Sequence, residues 1–259
     1  MCLIVIAWRA HPEIPCLVAA NRDEDHGRPT AAAHWWTDRT DILAGRDLMA
    51  GGTWIGITRT GRFAAVTNFR DPGAVRADAP SRGSLVRSFL ESTASVAEGL
   101  ANLRKVGADY SGFCLLLSDG ERLGVYESVR GEGRELGPGV FGLSNHLLDT
   151  PWPKVTKAKA RLLDALRNGA DRQSVLALLR DETPAPDAQL PRTGVSLQTE
   201  RLLSSAFIRA ADYGTRSSTR ISIDRSRRVC FDEWSWDGAG AEIGSITLQF
   251  ELQSRQRPT

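Results

Sequence analysis

The chain opens Met1-Cys2-Leu3-Ile4-Val5-Ile6, so loss of the initiator Met makes Cys2 the first residue. An N-terminal cysteine carries a thiol and an α-amine on one residue. The amine, with an ordinary pKa near ~8, can serve as base for its own thiol without a separate histidine. Cysteine is also among the most buried residue types, so Cys2 alone reads as strand core too, and its neighbours decide. The tetrad Asn21-Arg22-Asp23-Glu24 directly follows a second apolar run. If the two runs pair as a hairpin, the far end of the second lies beside the start of the first, which brings Arg22 and Asp23 to Cys2. There an Arg favours the thiolate, and an Asp accepts from the terminal ammonium and fixes its orientation.

Two asparagines end apolar stretches in the same manner, Asn68 in Val66-Thr67-Asn68 and Asn145 in Gly142-Leu143-Ser144-Asn145. A thiolate attacking a carbonyl needs uncharged donors aimed at the developing oxyanion, and Asn side chains or nearby backbone N–H groups supply them. Asn is equally a good turn residue. His146 is a second candidate base, against the commoner structural role of a lone His at a strand end. The hydroxyl-rich segment Tyr213-Gly214-Thr215-Arg216-Ser217-Ser218-Thr219 places one Arg where it would clamp a carboxylate or phosphate, or simply decorate a strand edge. Ala50-Gly51-Gly52-Thr53 superficially resembles a phosphate loop but no Gly-Lys-Ser/Thr follows. H-E-x-x-H, G-x-S-x-G and C-x-x-C-H are absent, which excludes the corresponding zinc, serine-elbow and haem-attachment chemistries.

These residues need elements to hold them. Residues 2–8 and 16–20 read as a buried hairpin, and 53–58 with 63–69 as another around Gly61. Leu85, Val86, Phe89 and Leu90 mark a helix over 81–92; Val96, Leu100 and Leu103 mark the next. Residues 112–118 and 122–127 flank Asp119-Gly120, a type I′ hairpin signal. A helix is expected over 152–167, stopped by Gly169, and Asp171 caps a further one through Leu179. Residues 183–199, with Pro184, Pro186, Pro191 and Gly194, read as a long loop of the kind that covers sites. Strands return over 206–210, 218–223, 229–236 and 246–252, and 253–259 reads as a frayed tail. Strands, two helices, strands, two helices, strands favours α+β with largely antiparallel sheets.

The 259 residues, 41% hydrophobic and 25% charged, are ordinary globular composition, read as one domain over 1–259. A net charge of +2 with no basic block argues against nucleic acid as partner, and no apolar run is long enough to span a membrane. The four cysteines are widely spaced, which predicts no metal site and a reducing, cytoplasmic setting.

Taken in order, Met1-Cys2-Leu3, Asn21-Arg22-Asp23-Glu24, Ala44-Gly45-Arg46-Asp47 with Gly51-Gly52-Thr53-Trp54, Thr67-Asn68-Phe69-Arg70, Gly142-Leu143-Ser144-Asn145 and Tyr213–Thr219 resemble the N-R-D-E family, the transport and Golgi organisation protein 2 family, over nearly the whole chain. That family has been linked to haem mobilisation, to acyl-coenzyme A and lipid handling, and to Golgi organisation. More distantly the chain is similar to the cysteine branch of the N-terminal nucleophile hydrolases, the penicillin V acylases and bile-salt hydrolases. That similarity implies a four-layer αββα sandwich, Cys2 as nucleophile, and Asn68 and Asn145 at the oxyanion. Those enzymes space an Arg and an Asp three residues apart after the second strand, whereas Arg22 and Asp23 are adjacent here; their later active-site Arg corresponds to Arg209 or Arg216. The resemblance implies hydrolysis of a non-peptide amide or a thioester with an apolar acyl group. Cys2, Arg22, Asp23, Asn68 and Asn145 would be catalytic, and Asn21, Glu24, His146 and Arg216 would bind substrate. The alternative is a non-catalytic carrier of haem or acyl-coenzyme A in the same pocket. No cofactor is expected, and haem enters only as cargo.

Overall fold

The computed structural model describes residues 2–74 and 76–254. Within them the chain runs β1 (Cys2–Trp8), β2 (Cys16–Asp25), β3 (Thr30–Trp35), β4 (Ile42–Asp47), β5 (Ile55–Thr58) and β6 (Phe63–Asn68), then α1 (Gly83–Glu91) and α2 (Val96–Val106). It continues through β7 (Phe113–Ser118), β8 (Leu123–Glu127), β9 (Glu132–Leu136), β10 (Gly139–Leu143), α3 (Pro153–Arg167), α4 (Arg172–Leu179), α5 (Leu197–Leu202), β11 (Tyr213–Ile223), β12 (Arg228–Trp236) and β13 (Glu242–Glu251). One sheet has the order β10-β1-β2-β11-β12-β13 and the other β3-β4-β5-β6-β7-β8-β9, with antiparallel pairing throughout. Helices α3 and α4 cover the first sheet, and α1 and α2 cover the second, giving the four-layer αββα sandwich.

Strand alternation sorts the core into three layers. From β1, Ile4, Ile6 and Trp8 join Val18 and Ala20 of β2 and Ile57, Ala65 and Leu116 of the other sheet between the sheets. The intervening Leu3, Val5 and Ala7, with Leu17 and Ala19, pack under Val155, Leu162 and Leu166 of α3. A third layer sits beneath α1 and α2, around Val86, Phe89, Leu100 and Leu103. Each helix has a local reason to begin where it does. Ser95 and Glu98 form a reciprocal capping box at α2, Pro153 occupies the first turn of α3, and Asp171 accepts from the backbone N–H of Gln173 and Ser174 at α4.

Several expectations are corrected. β2 does not stop at Ala20 but carries the polar tetrad inside the strand as far as Asp25. The 206–210 strand does not form, apart from one bridge between Arg209 and Gly214. Phe207 N–H is taken by the Asp181 carbonyl and Ile208 N–H by the Thr215 hydroxyl, so neither joins a ladder. The Asp119-Gly120 connection is not type I′. Gly120 alone has positive φ (90°), and the Asp119 carboxylate instead accepts from the N–H groups of Glu121, Arg122 and Val96. Within 183–199, residues Asp187–Gln189 form a 3₁₀ turn and Ser196 caps α5. Three strands, β3, β4 and β9, come from stretches where no strand was expected, whereas β10 is the apolar strand expected ahead of Asn145. Gln253, expected to be frayed, donates its N–H to the Arg59 carbonyl, and the tail from residue 255 lies outside the described residues.

Candidate functional site

The hairpin register sets Cys2 opposite Arg22, so both side chains share a face. The Cys16, Val18, Ala20 series points between the sheets, which sends Arg22 and Glu24 there and Asn21 and Asp23 to the helical side. The contacts agree. The Arg22 guanidinium lies 4.4 Å from the ring centroid of Trp54, just before β5 of the facing sheet, and donates to the Thr30 hydroxyl at 3.1 Å. Asn21 instead donates to the carbonyls of Leu179 and Ala206 and accepts from Ser218. Asn21 is therefore a pin between the sheet and the segments around α4, not a substrate contact.

Cys2 opens into a cavity of about 210 Å³ between the sheets, whose walls include Arg22, Asp23, Glu24, Asn68, Trp54 and Arg82. Trp54 and Thr53 are carried there by a close crossing. A Cβ on Gly52 would stand 2.5 Å from the Gly83 carbonyl carbon, so only glycine lets the two segments touch. Asn68, the last residue of β6, lines this cavity. Asn145 does not; fully buried and left-handed (φ 54°), it donates its amide to the Asn68 backbone carbonyl at 3.1 Å, while its own carbonyl accepts from Arg70 N–H at 2.7 Å. Ser144 donates to the Cys2 carbonyl at 3.0 Å. The Ser144-Asn145 pair thus clamps the start of β1 to the end of β6 across the two sheets.

Asp23 sits on the helical side of the same strand end. Its carboxylate accepts from Thr215 at 2.7 Å and its backbone carbonyl from Tyr213 at 3.1 Å. Burial raises its pKa, against the lowering pull of Lys154, Thr215 and Arg22. Lys154, in the first turn of α3, is only 5% exposed, and its Nζ has no hydrogen-bond partner among the described residues. Burial drops it to about 8, opposed by the negative charges of Asp23, Cys2 and Glu200. The Cys2 thiol is also raised by its burial, with the Asp23 charge adding to the rise and the Asp23 backbone N–H and Arg22 opposing it. Arg22 does pull toward the thiolate as expected, but burial wins. Burial thus favours the neutral Cys2 thiol over the thiolate.

The other expected contacts lie elsewhere. His146 is packed between Phe69 and Trp152 (ring centroids 4.8 and 5.5 Å) with Nδ1 against the Thr150 hydroxyl, and it does not line the Cys2 cavity. Arg216 donates to the carbonyls of Asp25 and Arg28, and Arg209 pairs with Glu182; neither lines the Cys2 cavity. The basic residues that do, besides Arg22, are Arg28 and Arg82, with Arg28 held by Asp47 at 2.7 Å. No residue of 183–199 lines it; that segment walls a separate groove against α3. Arg82 carried no sequence signal. Lys154 did, because a cation in a helix's first turn opposes the macrodipole, and such local conflicts mark functional positions.

Residues 1–238 match the model of the family described as Transport and Golgi organisation 2. The chain is 36% identical to the transport and Golgi organization protein 2 homolog of Bos taurus over 98% of this chain and 100% of the relative. It is 34% identical to the Homo sapiens homolog, again over 98% and 100%. Among solved structures, a cysteine-to-alanine mutant of the conjugated bile acid hydrolase from Clostridium perfringens aligns with TM-score 0.53 at 9% identity, over 96% of this chain and 92% of that one. At that identity the likeness is one of fold, the N-terminal nucleophile hydrolase sandwich.

Proposed function

The chain belongs to the transport and Golgi organisation 2 family, and from that premise we propose that it is an N-terminal nucleophile cysteine hydrolase, cleaving a non-peptide amide or a thioester with an apolar acyl group. The observation that carries the reading is Cys2, at the start of β1, opening on a walled cavity beside Arg22 and Asn68, with Asp23 among its walls and the buried Lys154 close enough to feel the Asp23 and Cys2 charges. As translated, the Cys2 nitrogen is a peptide nitrogen; removal of Met1 turns it into an amine.

In this mechanism the Cys2 thiol attacks the acyl carbon and its proton passes to the α-amine, which the Asp23 carboxylate orients. Lys154, close to neutrality, stands by the same carboxylate and offsets its charge as the amine is protonated. The developing oxyanion is met by Asn68, whose strand end Asn145 holds, each direct donor contributing on the order of 3 kcal/mol. Collapse of the tetrahedral intermediate expels the amine or thiol, which takes the proton back from the α-ammonium. Water then hydrolyses the Cys2 thioester by the same proton route. Glu24 and Arg82 polarise the mouth of the cavity.

The test is a panel of N-acyl amino acids, lactones, a long-chain acyl-coenzyme A and haem, incubated with untagged protein and followed for both binding and product by mass spectrometry. Cys2→Ala should abolish product while retaining substrate binding, because the nucleophile acts chiefly in the transition state. Stoichiometric binding of haem or acyl-coenzyme A with no Cys2-dependent product would replace this reading with that of a carrier.

A further inference from the structure

Behind the wall formed by Trp54, Arg22 and Thr30 lies a second cavity, of about 370 Å³, lined by Trp54, Thr30, Ser217, Glu233, Arg216 and Ile246 among others. Trp54 faces both cavities, and Thr30, in the second, holds Arg22, in the first. Strand parity puts Ser217 with Ile221, and Glu233 with Phe231 and Val229, on the face between the sheets. Glu233, 2% exposed, spans that gap to accept the Ala33 N–H at 2.6 Å. Two residues that line this cavity each carry a buried polar atom with no hydrogen-bond partner among the described residues, Ser217 Oγ and Trp54 Nε1, and the residues are only 6% and 9% exposed. Buried polar groups are almost always paired, so two orphans on one cavity point to a ligand.

We propose that this second cavity is a binding chamber for a neutral, hydroxyl-bearing group, which in a substrate reacting at Cys2 would be the part beyond the scissile bond. The indole N–H only donates, so its partner must offer a lone pair. An anion would face the Glu233 carboxyl and a cation the Arg216 guanidinium, whereas a hydroxyl both donates and accepts and so suits Trp54, Ser217 and Glu233 together. Ile246 and Ile243 give its carbon atoms an apolar side. The volume holds about a dozen water-sized groups, enough for a short amino alcohol. Burial raises Glu233 to about 7, which leaves it able to donate or accept near neutrality. Assigning the chamber to the leaving-group half rests on the hydrolase reading; the binding does not.

The test uses Cys2→Ala protein labelled with ¹⁵N at tryptophan, with the Trp54 indole resonance assigned by its loss in Trp54→Phe. It is titrated with three hexanamides that share a three-carbon N-substituent chain, N-3-hydroxypropyl, N-propyl and N-2-carboxyethyl. The hydroxypropyl amide should move the Trp54 resonance and bind at least tenfold tighter than the propyl amide, and Ser217→Ala should erase that difference; Glu233→Gln should reduce it. Equal shifts from all three, no shift from any, or tightest binding by the carboxylate overturns the proposal. Wild-type turnover of the same amides is read separately, so a Trp54 shift without hydrolysis fails the hydrolase reading and leaves the chamber standing.

Discussion

Two charged clusters built on neighbouring strands of one sheet show what separates scaffold from chemistry. On the helix-facing side, Asp232 accepts from Arg220 at 2.8 Å and Thr247 at 2.6 Å and pairs with Arg172 at 3.2 Å, while Arg220 also donates to the Ala170 carbonyl. Charges there are matched with short contacts that tie β11, β12, β13 and the start of α4 together. At the Cys2 end, Arg22 and Glu24 are 3.8 Å apart, Lys154 Nζ has no hydrogen-bond partner among the described residues, and Asp23 and the thiol are both raised by burial. Burial without matched pairing is unfavourable for folding and useful for proton transfer. The first cluster should matter to stability and the second to turnover.

The largest effect expected is at the matched cluster. Asp232→Ala strands the buried Arg220 charge and should lower stability by about 3–5 kcal/mol in urea unfolding, with turnover per folded molecule unchanged. A specific loss of turnover without destabilisation would break the distinction. Lys154→Met should do the reverse. A lysine depressed from 10.5 to about 8 has its ammonium disfavoured by the fold, so its stability is complete above the unfolded pKa and is lost as pH falls through about 8. Near neutral pH the Met variant should thus be more stable, by up to ~3 kcal/mol, and less active; the stability gain should vanish at high pH. A smaller effect is expected at Glu233. A carboxyl raised from 4.5 to about 7 contributes stability that is complete below 4.5 and is lost as pH rises through about 7. Glu233→Gln should flatten that slope, by less than ~3 kcal/mol in all, since the amide still accepts from Ala33. Thermal midpoints across this range check it.

The parts of this arrangement visible in the sequence were those written in local periodicity. The β1 and β2 runs, the helical stripes of α1 and α3 and the Asp171 cap all declare themselves, and the hairpin alone brings Arg22 to Cys2. The tetrad misleads in one respect. Had β2 been extended beyond Ala20, alternation would already have turned Asn21 away from Cys2 and toward the helices. β9, Glu-Gly-Arg-Glu-Leu, is polar because it is an edge, and β3, rich in alanine, takes its strand form from pairing with β4. Arg82, Trp54 and the second cavity depend on contacts between the two sheets, which no local pattern records. The placement of Asn145 behind Asn68 belongs to the same class.

Covalent catalysis by Cys2 is tested by peptide mapping of untagged wild-type protein, quenched in acid during turnover of an acyl substrate. The expected result is an N-terminal peptide that begins at Cys2 and carries the acyl mass, absent from Cys2→Ala. A peptide that retains Met1 throughout, with no acyl group on Cys2 under conditions where product forms, would contradict it.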